Sequence, residues 1–382
     1  MNSPAKLEIG RRLADEVLQP MKQAFVGKDE IIDLLGVTLV GGENLFILGP
    51  PGTAKSALVH NLAARLEGQT FDYLLTRFTE PNEIFGPFDI RKLREGELQT
   101  NTEGMLPEAS LVFLDELLNA NSAILNSLLT ALNERVFRRG KESRPLKALM
   151  FVSASNRLPE DDALKALFDR FLLRVHCDNV SAEQLPEVLD AGWKLGDNNP
   201  APSSLHFDDI QSLQSLLPQV ELGAIRTDYA ETIHRIRHAG IPVSDRRAVK
   251  LQRLIAGSSL LCGRLQARLS DLWVLKYIWD TEDQQEVLSA LVQKLLEKSA
   301  PSEADHARAG RTDGPNPESL ARDLDYIEGQ LKSGANGGSN YLRDRLSLLE
   351  GRCQWVADTA KRDFLVKRIA QLWKTTGSDL NI

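Results

Sequence analysis

Residues 44–66 read NLFILGPPGTAKSALVHNLAARL, and the fold turns on whether they form one unit. The apolar run 44–48 predicts a strand, 49–56 a Gly/Pro-rich loop, and 57–66 a helix. Strand, glycine-rich loop and helix in that order is the context a phosphate-binding loop requires, because the helix start directs its free N–H groups at an anion. Gly49 and Gly52 allow the stretch through Pro50, Pro51 and Thr53 to curl so that N–H groups converge. Lys55 brings a positive charge toward β/γ-phosphates, and the Ser56 hydroxyl is offered to Mg²⁺. The departure from G-x-x-x-x-G-K-[ST] is Ala54, which stands where the second glycine belongs. As the residue entering the helix it is expected at φ < 0, where alanine is favourable.

Working outward, further strands are predicted near 71–76, 110–116 and 147–156, with a helix at 121–134 between the last two. Strands alternating with helices imply a parallel α/β sheet covered on both faces. The strand LVFLDE ends in Asp115 and Glu116. One carboxylate at a strand's carboxyl end can hold Mg²⁺ and the next can take a proton from attacking water, both of which phosphoryl transfer needs. Asn156 ends the strand MFVSASN, where an amide can both donate and accept.

Composition narrows the alternatives. The chain has 382 residues, 42% hydrophobic and 26% charged, with a formal net charge of −7. That balance disfavours a general nucleic-acid coat or an anionic-membrane binder. Cys177, Cys262 and Cys353 form no C-x-x-C pair, so neither a disulfide framework nor a zinc site is indicated, and a reduced cytoplasmic setting fits. No apolar run has the length of a membrane span or a secretory h-region. His234 and His238 lie one turn apart but are flanked by arginines and read as a solvated face.

GPPGTAKS and LVFLDE together resemble the Walker A and Walker B motifs of an AAA+ ATPase. FTEPNEIFGPFDI (78–90), LNERVFRRG (132–140) and LFDRF (167–171) are similar to the MoxR branch, within it the RavA-like group, where Ala before the lysine is common. The resemblance covers about residues 8–298 and is poor over 320–382. It implies ATP and Mg²⁺ as cofactors, with Ser56 and Asp115 on the metal and Glu116 as catalytic base. It implies Asn156 as the sensor 1 residue, Arg170 as an arginine finger acting in trans, and Arg246 as the sensor 2 arginine, the adjacent Arg247 leaving the register open. Val26 and Gly27 match the segment bordering the adenine. Residues 79–108 resemble the helix-2 insert and 135–148 the pre-sensor-1 hairpin, both engaging a remodelling target.

The implied fold is an AAA+ five-stranded parallel core sheet with helices on both faces, spanning 1–180. An all-α lid follows at 181–298, with helices at 221–238, 245–262, 268–279 and 283–298, then a flexible linker at 299–319. A C-terminal helical hairpin at 320–382 is read from apolar stripes on either side of SGANGGS. The implied function is ATP hydrolysis by a homohexameric ring that remodels a protein partner, together with a VWA-domain protein. The competing readings are a nucleotide-gated scaffold, disfavoured by the intact Asp115–Glu116 pair, and a nucleic-acid-linked or defence-system motor, disfavoured by the acidic charge.

Overall fold

The computed structural model describes residues 3–181, 183–197, 205–300, 302–310 and 317–332, and from 342 to 378 all but 343–345, 348, 352, 354, 355, 357 and 358. Among the described residues seven strands are placed: β1 Asn44–Leu48, β2 Thr70–Leu74, β3 Leu111–Asp115, β4 Val136–Arg139, β5 Glu142–Pro145, β6 Met150–Ser155 and β7 Leu173–His176. Five of them form one parallel sheet in the order β2-β3-β6-β1-β7, while β4 and β5 pair as a separate antiparallel hairpin. Every residue of β1 and β6 is buried. This is why both are mainly apolar without alternation: helices cover both faces of the central strands, so neither face is turned to water.

Register aligns the strand ends. Leu48 of β1 pairs with Ser155 of β6 and His176 of β7, and Asp115 closes β3 one strand further out. The loops after β1, β3, β6 and β7 therefore all emerge along one carboxyl edge, the place where open parallel sheets bind ligands.

The lid packs beside β7, where Trp279 stacks on His176, and against the core at the opposite edge. Its helix Asp245–Leu261, capped by Ser244 Oγ accepting from the Arg247 N–H at 3.1 Å, lies on the helix Asp29–Gly41 that leads into β1. The approach is close: a Cβ on Gly257 would sit 3.0 Å from the Gly41 nitrogen and the Val37 carbonyl. Half-exposed Lys250 and Arg253 ion-pair with buried Glu43, just before β1. The expected helix at 268–279 is instead a 3₁₀ stretch, Leu269–Tyr277, buried along all but its first residue. Asp271, fully buried, explains the tighter winding: it accepts from the Arg268 N–H, Ser258 Oγ and the Arg264 guanidinium, which fixes the turn from outside.

Residues 302–310 depart from the linker expected at 299–319. Arg308 is buried and pairs with buried Asp33 at 3.1 Å, and the His306 ring stacks on Trp273 with centroids 4.6 Å apart. Asp305 is bound by Arg268 and Ser270. Composition suggested a linker because these fastenings are polar and their partners lie far away in sequence. Residues 311–316 and the SGANGGS turn lie outside the described residues.

The C-terminal region has its own apolar cluster. Leu320, Leu324 and Ile327 come from helix Pro317–Lys332, and Leu365, Ile369 and Leu372 from helix Thr359–Ser378. Leu342, Leu346, Leu349 and Cys353 contribute from between them. The cluster thus extends past the hairpin's two expected stripes into a further helix. Among the described residues no helix is long and apolar enough to cross a membrane.

Candidate nucleotide site

The loop after β1 begins with a steric demand. A Cβ on Gly49 would lie 2.2 Å from the Cys177 carbonyl oxygen, so the residue must be glycine for β7 to pass. Cys177 also closes the loop from below, its N–H donating to the Leu48 carbonyl at 2.7 Å and its Sγ to the Thr53 carbonyl at 3.1 Å. Gly52 takes φ +82 with no atom near its missing Cβ, so the loop's crown is open.

Ala54 corrects the sequence expectation: its φ is +70, not negative. The helix Lys55–Arg65 starts one residue later, and Ala54 is its left-handed cap. Turning the chain from the open crown into the helix axis requires a left-handed residue at this step whatever its side chain. The glycine of the general pattern is matched to that need, and the alanine meets it under strain. Such left-handed turns bring N–H groups into a concave nest for anions.

Three functional groups converge beside the loop. Lys55 Nζ donates to the carbonyls of Gly49 and Pro50 at 2.7 and 2.9 Å, so its charge is held at the loop mouth. Ser56 Oγ, on the first helical turn, donates to Asp115 Oδ2 at 3.0 Å. Asp115 Oδ1 accepts from the Glu116 N–H at 2.9 Å, and Glu116 itself is left-handed at φ +50, which turns it out of the strand direction. Burial, then the neighbouring Asp115 charge, push the Glu116 carboxyl above its ordinary range, while Lys55 and Arg157 pull against that. Asn156 is exposed and follows β6, between the strands that carry the loop and the acidic pair. Gly27, at φ +72, packs against Val180 and Gln184, which follow β7, and Val26 beside it is half-buried. The structure thus brings Val26, Gly27, the loop 49–56, Asp115, Glu116 and Asn156 to one edge.

Arg170 and Arg246 are not among them. The Asn44 side chain, at the start of β1, donates to the Arg170 carbonyl at 2.8 Å and accepts from Arg135 at 2.7 Å. Arg246 lies 3.5 Å from Asn133, two residues before Arg135. Both arginines therefore belong to the amino edge, separated from the loop by the length of β1, roughly 15 Å. That separation exceeds the reach of either side chain. Of the adjacent pair, Arg246 is exposed, whereas Arg247 is 4% exposed and shares Asp280 with the fully buried Arg174 at 3.1 and 3.0 Å. Burial, with Arg247 alongside, lowers Arg174 to about 9.

Sequence reasoning missed Cys177 and Arg157, which carry no motif signal. It also missed Asn44, whose amide at the head of an apolar strand was a usable signal for a polar contact at that edge.

A family profile described as "MoxR domain in the MoxR-vWA-beta-propeller ternary systems" matches residues 11–215, and one for an AAA lid domain matches 221–292. An uncharacterized protein of Methanocaldococcus jannaschii is 29% identical over 362 residues, covering 92% of each chain. Chaperone MoxR1 of Mycobacterium tuberculosis is 27% identical over 51% of this chain and 52% of its own length. A crystal structure from Cytophaga hutchinsonii, provisionally named an ATPase, superposes with a TM-score of 0.63 at 18% identity, over 78% of this chain and 98% of that one.

Proposed function

The chain belongs to the MoxR family of AAA+ ATPases, and from that premise we propose that it hydrolyses ATP with Mg²⁺ at sites shared between copies of itself. The carrying observation is that Arg170 and Arg246 lie at the amino edge of a sheet whose carboxyl edge holds the loop. Each copy then completes its neighbour's site rather than its own, and six copies close a ring. Of the two adjacent arginines, the exposed Arg246 is the one free to serve a neighbour.

Within a site, the loop N–H groups and Lys55 bind the phosphates, and the segment at Val26 and Gly27 borders the base. Ser56 and Asp115 supply two hard oxygens 3.0 Å apart, the donor type Mg²⁺ takes alongside phosphate and water oxygens. Bound there, Mg²⁺ would neutralise charge on the phosphates. Glu116 accepts the proton of the attacking water, and its raised pKa brings its basicity closer to neutral pH. Asn156 orients that water. Arg170 of the neighbour stabilises the charge developing on the transferred phosphoryl group.

The output is chaperone-like remodelling of a protein. Support comes from the likeness to a MoxR chaperone and from the insert at 79–108, which presents Ile90, Leu93 and Leu98, each more than half exposed. A VWA-domain protein is the proposed partner, supported by the MoxR–vWA–beta-propeller systems in the family description.

Mixing inactive variants tests the shared site. Arg170→Ala should keep nucleotide binding and lose about a thousandfold in ATPase, and Lys55→Ala should lose binding. Combined, the two should recover part of the activity, because an intact loop from one meets an intact arginine from the other. The reading fails if Arg170→Ala loses nothing, or if the mixture is as inactive as its components.

A further inference from the structure

The helix Leu185–Asp197 projects from the carboxyl edge just after Val180 and Gln184, the residues that lie against Gly27. From 185 to 194 only Val188 and Ala191 are even half-buried. Leu185, Leu189 and Trp193 recur at every fourth position and are 49%, 65% and 81% exposed. They form one apolar stripe along the helix. Thirteen residues is a marginal length for a helix with so little packing of its own. A stripe that ends in tryptophan is composed like the centre of an interface. Asp190, three residues before Trp193, flanks it.

We propose that this stripe is the seat of the neighbouring copy of the chain. The proposal rests on the shared-site reading. For a neighbour's Arg170 and Arg246 to reach the loop, its amino edge must descend on the carboxyl edge from which this helix projects. That amino edge presents Val249, 64% exposed and one turn beyond Arg246 on the same helix. An apolar stripe bordered by the acidic Asp190 on one copy thus meets an apolar side chain with basic neighbours on the next. The two patches differ, so the contact is head-to-tail and can propagate around a ring.

The test is the double variant Leu189→Asp with Trp193→Asp, compared with wild type and Trp193→Phe. Three quantities are measured: sedimentation in Mg²⁺ with a non-hydrolysable ATP analogue, binding of a fluorescent ATP analogue, and ATPase activity. The double variant should bind the analogue within about twofold of wild type, sediment as a monomer, and lose ATPase about a hundredfold or more. Trp193→Phe should assemble. If wild type assembles and the double variant assembles equally with full ATPase, the docking proposal is overturned and the shared site stands. If wild type hydrolyses ATP as a monomer, the shared site falls and the docking proposal with it. Should the aspartates unfold the chain, Leu189→Ser with Trp193→Ser applies the same criteria.

Discussion

At the scale of single residues, Ala54 is the most informative departure from expectation. A left-handed alanine costs about 1–2 kcal/mol relative to a right-handed one, and glycine returns part of that through its greater freedom in the unfolded chain. Ala54→Gly should therefore leave the melting temperature unchanged or raise stability by up to about 1 kcal/mol, with nucleotide binding retained. Ala54→Val, β-branched at the same φ of +70, should destabilise by at least that amount. Thermal melts of the two variants check both signs. The identities of Lys55, Ser56, Asp115 and Glu116 were legible because their chemistry follows from side-chain type and motif spacing. The φ of Ala54 was not, because it is set by where the loop must enter the helix. The burial of Arg174 was equally hidden, since its carboxylate partner, Asp280, lies beyond most of the lid in sequence.

At the scale of elements, the hairpin of β4 and β5 and the insert at 81–105 are bound into one body. Arg139 donates to the Gly86 carbonyl and the Asn82 side chain and lies over the Phe88 ring at 3.9 Å. Glu142 accepts from the Thr100 N–H, and Arg144 donates to Thr102. Any displacement of the hairpin therefore carries the insert with it. Arg139→Ala should raise amide hydrogen exchange across both segments while the loop at 49–56 keeps wild-type nucleotide binding. Exchange mass spectrometry that found only the hairpin loosened would show the two to be independent. Four of the five parallel strands were readable, β1, β3 and β6 because burial on both faces favours apolar residues, whereas β7 was not, since Arg174 and His176 interrupt its apolar pattern. The 3₁₀ stretch Leu269–Tyr277 was not, because Asp271's partners lie outside it and periodicity within the segment carries no trace of them.

At the scale of the whole molecule, the segment 302–310 fastens the lid to the N-terminal helices through one buried polar cluster. His306, Arg308, Asp33 and Lys22 meet there, and burial is the chief cause that lowers His306 to about 4. The sign follows from that depression. The unfolded chain takes up a proton near the ordinary histidine pKa, about 6.5, and the folded chain resists doing so. The contribution is thus fully present above about 6.5 and is lost as pH falls toward 4. Its slope is at most about 1.4 kcal/mol per pH unit. His306→Phe keeps a ring against Trp273 and should flatten this part of the curve, as denaturant titrations across that range will read. The opposition of the two sheet edges has a different consequence, one of counting. In an open string of copies the terminal loop receives no arginines, so a string of n copies has n − 1 complete sites, whereas a closed one has n. Turnover per copy thus reports closure itself, and one Arg170-deficient copy silences its neighbour's site while its own continues to fire.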